Sequence, residues 1–263
     1  MKYVLVTGAC GGMGSATVNA LLSSGYGVIA LDRVVGEDRN NVRYIECDVT
    51  SEESVCAAAE AAKAFTDELY GIVHYAGTYM LDSLVEMNGA DYERIFKINT
   101  FGAFYVNKAF LSMLRPGSRI VITTSELAPL DPLPFTGVYA VTKAALDKYA
   151  YSLRMELQLL DITVSVLRAG AVSTGMLGVS TAALDRFCEG TKLYKFSANR
   201  FKDIVASVEA RNVSTERLAK KMLAILGKKK PAFKYAINRN PLLILLNALP
   251  KRLQLFIIKK ILK

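Results

Sequence analysis

A glycine-rich turn directly behind a short apolar run constrains this chain most. Tyr3-Val4-Leu5-Val6 leads into Thr7-Gly8-Ala9-Cys10-Gly11-Gly12-Met13-Gly14. Four apolar residues followed by such a turn read as a buried strand that feeds a helix. Gly8, Gly12 and Gly14 let the backbone approach a pyrophosphate. A helix from Met13 points its amide end at the anion. Far along the chain, Tyr139-Ala140-Val141-Thr142-Lys143 places a phenol and an ammonium four residues apart, on one face of a helix. A dinucleotide cradle plus a paired phenol and ammonium points to hydride transfer at an alcohol carbon.

The intervening pattern sets the fold class. Strand-like segments at 3–6, 27–31, 42–46, 70–75, 119–124, 162–167 and 232–237 alternate with helix-like ones at 13–24, 51–65, 91–114, 137–160 and 214–227. Such alternation predicts an α/β fold: a Rossmann-like, doubly wound parallel sheet covered on both faces. Its ligand belongs beyond the carboxyl ends of the strands. With 263 residues, 52% of them hydrophobic, one large domain over 1–239 is expected. Residues 175–212 fall outside the rhythm and overhang the strand ends, the natural place for a substrate lid. Residues 240–263 form a C-terminal amphipathic helical extension.

Asp32 ends the second strand, 18 residues after Gly14. A carboxylate there accepts hydrogen bonds from a ribose diol and repels a 2′-phosphate, which favours NAD. Arg33 is placed to bind such a phosphate and keeps NADP open. The four cysteines (Cys10, Cys47, Cys56, Cys188) and the single His74 have no metal-ligand spacing and suggest no disulfide framework. No metal is expected, and a reducing, cytoplasmic setting fits. No signal peptide is read at the start of the chain. No apolar run reaches the ~20 residues of a membrane-spanning helix.

These motifs together resemble the short-chain dehydrogenase/reductase family along residues 1–237. Thr7-Gly8-x-x-x-Gly12-x-Gly14 resembles its nucleotide motif and Cys47-Asp48-Val49 its Asp-Val pair. Ala76-Gly77 resembles the end of its Asn-Asn-Ala-Gly element, with His74-Tyr75 in place of the two Asn. The resemblance implies that Asp48 holds the adenine amino group and that Val49, Ala76 and Gly77 line the cofactor. Tyr139 becomes the general acid/base, and Lys143 holds the nicotinamide ribose. Ser125, ending Ile120-Val121-Ile122-Thr123-Thr124-Ser125, becomes the hydroxyl that stabilises the substrate oxygen. Strict spacing from Tyr139 falls on Glu126, and Thr124 is the other neighbour. Asn99, in Lys97-Ile98-Asn99-Thr100, becomes the fourth catalytic member. Arg168-Ala169-Gly170-Ala171-Val172-Ser173-Thr174 resembles the family's Pro-Gly element with Ala169 for Pro; Val172 then binds the carboxamide and Thr174 the phosphate. A homodimer or tetramer through the two long helices is also implied.

Electrostatics suggests how the phenol is activated. A free phenol has a pKa near ~10. An ammonium ~4 Å away contributes up to ~4 kcal/mol at an effective dielectric of about 20. With the positive charge of oxidised nicotinamide added in the same place, Tyr139 is expected to move toward the operating pH.

Substrate and surface are read from what remains. Met176, Leu177, Leu184, Phe187, Tyr194 and Phe196, interleaved with Lys192, Lys195, Arg200 and Lys202, suit a bulky apolar substrate such as a hydroxysteroid, a bile acid or another lipid alcohol. They equally suit a helical core with a solvated face. From Arg217 to Lys263 there are thirteen Lys/Arg and no Asp or Glu; taking these from the overall +9 leaves −4 on residues 1–216. In the extension, Arg252, Lys259 and Lys263 share one helix face. Leu253, Ile257, Ile258, Ile261 and Leu262 cover a wide arc. Such a helix can lie on an anionic membrane surface, each cation adding ~1 kcal/mol, or pack on the protein or a sister subunit. The long apolar arc argues against nucleic acid. The expected activity is an NAD(H)-dependent oxidoreductase for a hydrophobic secondary alcohol or ketone. The alternatives are an NADP(H)-dependent reductase of another lipid ketone and a membrane-recruited, non-catalytic nucleotide-binding scaffold.

Overall fold

The computed structural model describes the backbone of residues 1–263, and their side chains except at 175–182 and 208–209. Seven strands form one sheet: β1 (Tyr3–Thr7), β2 (Gly27–Asp32), β3 (Val42–Glu46), β4 (Leu69–His74), β5 (Leu114–Ser125), β6 (Thr163–Ala169) and β7 (Lys234–Ile237). Their order is β3-β2-β1-β4-β5-β6-β7, and every neighbouring pair is parallel. The strand order reverses between β1 and β4, which makes the end of that pair the ligand crevice of a doubly wound sheet.

Period-two alternation within uniformly apolar strands feeds two cores. Leu5, Ile29 and Leu31 face one layer, with Val55, Ala58, Val106 and Leu146. That layer is built by helices α2 (Glu52–Lys63), α4 (Gly102–Ala109) and α5 (Gly137–Leu157). Val4, Val6, Val28 and Ala30 face the other, with Val18, Leu218 and Met222 from α1 (Gly12–Ser23) and α8 (Thr215–Leu226). Both faces are covered, so the strands need no polar side. Ser51 opens α2 as its sequence suggests, its hydroxyl accepting from the Ser54 amide at 3.1 Å.

The helix expected over 91–114 is not continuous. It runs as α3 (Gly89–Phe96), a π-helical turn Lys97–Phe101, then α4, and a single 3₁₀ turn Leu111–Met113 before β5. Phe110, Met113 and Leu114 are as apolar as a helix face, but they are buried beneath the sheet. Past them Gly117 turns the chain at φ +91, and its amide donates to the Asp161 carbonyl. The π turn falls on Asn99; such insertions recur at functional sites.

Residues 175–212 hold two helices, α6 (Gly175–Gly190) and α7 (Lys195–Glu209), over a core of their own. Phe135 sits at its centre with φ +65, its ring 4.9 Å from Phe187, 5.3 Å from Tyr194 and 5.5 Å from Phe201. Leu184 and Phe187 are buried in this cluster, while Phe196 is exposed. The side chains of Met176 and Leu177 lie outside the described residues. Two more helices, α9 (Pro241–Ala248) and α10 (Lys251–Leu262), complete the chain. Only part of the apolar arc of α10 packs inward: Leu262 is buried and Ile258 partly so, against the lid. Lys251 and Asn247 both bond to Asp131.

Candidate active site

Thr7 ties the crevice together. Buried at the end of β1, its hydroxyl accepts from the amides of Tyr75 at 3.3 Å and Ala76 at 3.2 Å, beyond the end of β4. The glycine turn lies against this junction. Gly8 has φ +65, and a Cβ there would stand 2.7 Å from the Ala76 nitrogen. A Cβ on Gly14 would stand 2.0 Å from the Gly8 carbonyl oxygen, and one on Gly12 would stand 3.0 Å from the Thr174 Cβ. α1 starts at this point with no side-chain cap and no acidic residue in its first turn. Its amides and dipole are therefore available to an anion. The residues fit a dinucleotide pyrophosphate, with Met13 and Thr174 beside it.

Asp32 is held at the end of β2. Its Oδ2 accepts from the Cys10 amide at 2.9 Å and its Oδ1 from the Arg33 amide at 2.8 Å. That places a carboxylate beside the glycine turn, where a ribose diol would lie. Asp48 accepts from the Thr50 amide at 2.9 Å and the Thr50 hydroxyl at 2.8 Å. The amide bond, above all, holds its carboxyl below the usual range. Val49 lies against Gly102 of α4, where a Cβ would come within 2.9 Å of it.

The His74-Tyr75 pair has its own packing. The Tyr75 hydroxyl bonds to Thr17 of α1 at 2.8 Å. On the opposite face the His74 Nε2 bonds to Asn107 at 2.9 Å, and Asn107 donates on to the Tyr149 hydroxyl. Burial pushes the His74 imidazole down to about 4, so it stays neutral.

At the other end of the crevice the remaining groups converge on a cavity of about 210 Å³ with mostly apolar walls. Ser125, Tyr139, Lys143, Gly77 and Val172 all line it. The Ser125 hydroxyl, which accepts from the Leu127 amide at 3.2 Å, stands close enough to Tyr139 to favour its ionised form. Its two neighbours make other contacts. Thr124 turns its hydroxyl toward Asp147 at 3.3 Å, and Glu126 accepts from the backbone of Asn240. The Lys143 Nζ stands 5.8 Å from the Tyr139 ring centroid. A Cβ on Gly77 would lie 3.4 Å from that Nζ and 3.3 Å from the Asn99 Oδ1, so this glycine keeps the space between them open. Asn99 is buried; its side chain accepts from the Thr78 amide at 2.7 Å and donates to the Thr78 carbonyl at 2.9 Å. It also donates to the Thr142 hydroxyl at 3.0 Å, which in turn donates to the Tyr139 carbonyl.

Among the protein's own groups, burial dominates the phenol. Burial pushes Tyr139 up to about 12, against the pull of the Ser125 hydroxyl, and the Glu126 charge adds to the rise. Burial also pushes the Lys143 ammonium down to about 8. Desolvation disfavours the charged form of each group. As it stands, the site holds a firmly protonated phenol, an acid rather than a base.

Several positioning residues carry no motif. Tyr79 packs edge-on to Tyr139, ring centroids 4.6 Å apart at 90°. Asp147, one turn beyond Lys143 on α5, takes a two-point bond from Arg168 at 3.0 and 2.6 Å. This largely buried pair, 16% and 13% exposed, fixes α5 on β6. A second acid one turn past a Tyr-Lys pair was the available signal, though it cannot name its partner. Replacing Asp147 with Ala leaves a buried guanidinium without its partner. The expected loss of stability is about 3 kcal/mol in urea unfolding, and a loss under about 1 kcal/mol would class the pair with exposed ones. The lid's contribution to the cavity is Phe201, Ile204 and Val205, and Leu243 comes from α9. Of the lid residues singled out from the sequence, Leu184, Phe187 and Tyr194 instead belong to the lid's own cluster, and Lys202 pairs with Asp185 at 2.5 Å.

A dinucleotide cradle joined to a serine–tyrosine–lysine cluster over an apolar cavity defines a class of nicotinamide-dependent oxidoreductases. The chain belongs to the short-chain dehydrogenase family, whose model matches residues 2–185. The Escherichia coli K12 protein "Uncharacterized oxidoreductase YbbO" is 35% identical over 179 residues, 66% of each chain. Human 17-beta-hydroxysteroid dehydrogenase type 6 is 27% identical over 201 residues, 73% of this chain and 63% of its own. The matched region thus spans about two thirds of these relatives' length. The fold is shared with a short-chain dehydrogenase family protein from Francisella tularensis, at a TM-score of 0.75 and 21% identity, covering 90% of this chain and 97% of that one. Family members act on alcohol and ketone groups with NAD(P).

Proposed function

We propose that this chain transfers hydride between NAD(H) and a hydrophobic secondary alcohol or ketone of the hydroxysteroid kind, working as a homo-oligomer at an anionic membrane surface. The observation that carries the reading is the meeting of Ser125, Tyr139 and Lys143 at an apolar cavity beside the glycine turn.

The nicotinamide, when bound, supplies or takes the hydride and, oxidised, adds a positive charge. Thr7, the glycine turn, Asp32 and Thr174 hold the dinucleotide, and Val172 and Lys143 orient its reactive end. Ser125 donates to the substrate oxygen, stabilising charge as it develops. Tyr139 gives its proton to that oxygen in reduction and takes it in oxidation. Lys143 steadies the phenolate, and Asn99 fixes the start of the Thr78 loop against α5 through Thr142.

Apolar walls from Tyr79, Phe201, Ile204, Val205 and Leu243 suit a rigid hydrocarbon body. The human relative's name supports a steroid alcohol. A buried carboxylate in the wall, Glu126, favours a neutral substrate over an acid-ended one such as a bile acid. The extension supports surface binding. Leu255 and Phe256, 68% and 59% exposed, share the outward face of α10 with Arg252, Lys259 and Lys263. Leu242 and Leu245 of α9 are exposed as well, and among the described residues no helix is long and apolar enough to cross a membrane. Exposed Phe101, Phe104, Val141, Tyr151 and Met155 on or next to α4 and α5 support pairing of two chains there.

The test is a nicotinamide-absorbance screen with both NAD(H) and NADP(H) over neutral steroids, bile acids, long-chain lipid ketones and short alcohols. A parallel flotation assay uses vesicles with and without phosphatidylserine. Turnover of neutral steroids with NAD(H), and binding to the anionic vesicles alone, are expected. Turnover confined to short alcohols, or flotation indifferent to lipid charge, would overturn the respective part.

A further inference from the structure

Glu126, the residue on which strict spacing from Tyr139 falls, lines the same cavity as Ser125, Tyr139 and Lys143. It follows Ser125 at the end of β5, and its amide donates to the Ala169 carbonyl at 2.9 Å. Its side chain is buried. Oε2 accepts from the Asn240 amide at 2.6 Å, a contact across 114 residues of sequence. Oε1 stands at the Gly170 wall, where a Cβ would come within 3.0 Å of it. Asn240 is the N-cap of α9, its own side chain accepting from the Leu242 amide at 2.9 Å. The next residue of that helix, Leu243, enters the cavity wall. One carboxylate thus joins the catalytic strand end to the first residue of the C-terminal extension.

We infer that Glu126 is a positioning residue that ties the extension to the catalytic pair: its carboxylate fixes α9 so that Leu243 closes the substrate wall, and it sets a negative charge in the wall of the cavity that Ser125 and Tyr139 share. The inference rests on Tyr139 as the proton carrier of the function proposed above. The groups facing the phenol are Ser125 at the end of β5 and Glu126 just past it, Lys143 from its own helix, Tyr79 from the loop after β4, and Arg239 ahead of α9 through its effect on Glu126. Asp147 and Arg168 neutralise each other one turn away. Among these, Glu126 is the charge that opposes loss of the phenol proton. Removing it makes Tyr139 easier to ionise, so the rising limb of alcohol oxidation moves to lower pH. Docking of the extension then does two things at once: it completes the pocket and keeps the phenol an acid.

Two variants separate the two roles. Glu126→Gln keeps an acceptor for the Asn240 amide and removes the charge; Glu126→Ala removes both. Both are expected to shift the oxidation limb down by about half a pH unit or more. Glu126→Ala alone is expected to raise KM for a bulky alcohol about three- to tenfold, the range of one lost hydrogen bond, while a short alcohol is unaffected. It alone should speed amide exchange over 240–246. NMR titration of Cζ-labelled tyrosine in the NAD⁺ complex, with Tyr139 assigned by its loss in Tyr139→Phe, reads the same ionisation without any substrate. A shifted titration in a protein that turns over no lipophilic alcohol would sink the substrate reading and sustain this one. A Glu126→Gln titration that superposes on the wild type, or Glu126→Ala exchange unchanged at 240–246, overturns it. Should Glu126→Ala fail to fold, Leu243→Ala takes its place: the KM rise with an unmoved pH limb supports the closure role, and an unchanged KM overturns it.

Discussion

Replacing Tyr139 with Phe will lower turnover by about a thousandfold, in the middle of the range for a lost general acid/base, while NADH affinity stays within about twofold. The substitution deletes one oxygen. The ring keeps its edge-on contact with Tyr79 at 4.6 Å, so the cavity keeps its shape. What disappears is the hydroxyl that shares the cavity with Ser125. Burial lifts that phenol to about 12, so at neutral pH it carries its proton and, in the role proposed for it, is ready to protonate a carbonyl being reduced. Oxidation needs the phenolate, and its rate should climb with pH; reduction should be flat near neutrality and fall once the proton leaves. In the variant both limbs should vanish from the residual rate. The measurement is kcat and KM in both directions across pH, with NADH binding by fluorescence. Turnover within about tenfold of the wild type would remove Tyr139 from the chemistry.

The reading of the phenol also shows where sequence stops being informative. Tyr139 and Lys143 are legible because helix periodicity alone puts them on one face. Their ionisation depends on how much water the folded cavity leaves around them, and nothing local encodes that. The glycine turn and Asp32 are legible for a similar reason: each sits at the end of a strand whose apolar pattern marks it. Asn99 was legible by motif, but not its π turn, since 91–114 has helix-compatible residues throughout and the break serves a contact with the Thr78 loop. Spacing alone left Ser125, Thr124 and Glu126 open. Three-dimensional partners tell them apart only in part: Thr124 turns toward Asp147 and Glu126 accepts from Asn240, while all three line the cavity. The lid residues left two readings open, and the core reading holds for Leu184, Phe187 and Tyr194. Only the fold shows that Phe135, from a distant loop, is the centre they pack around.

The second large effect belongs to Gly14. Its replacement by Ala is expected to weaken NADH binding about 100-fold or more and to lower the melting temperature. The added Cβ would stand 2.0 Å from the Gly8 carbonyl oxygen and 2.8 Å from the Ala9 Cα. Both are backbone atoms, so no side chain can swing away. Nor can Gly8 yield, because it already turns at φ +65 against the Ala76 amide. The start of α1 must therefore lift off the end of β1, carrying the first-turn amides away from the pyrophosphate. Overpacking of a fitted site costs about 1–3 kcal/mol, and the upper end is already a hundredfold in affinity. The other glycines grade the effect. Gly12→Ala meets only the Thr174 side chain at 3.0 Å, which can give by a few tenths of an ångström, so a milder loss is expected. Gly89→Ala, at the open first position of α3, meets nothing within 4 Å and should bind as the wild type does. Fluorescence titration with NADH and thermal melting across the three variants check the order Gly14, Gly12, Gly89. A Gly14→Ala protein with wild-type affinity would mean that α1 does not present its amides to the dinucleotide, and the cofactor site would have to be sought elsewhere along the strand ends.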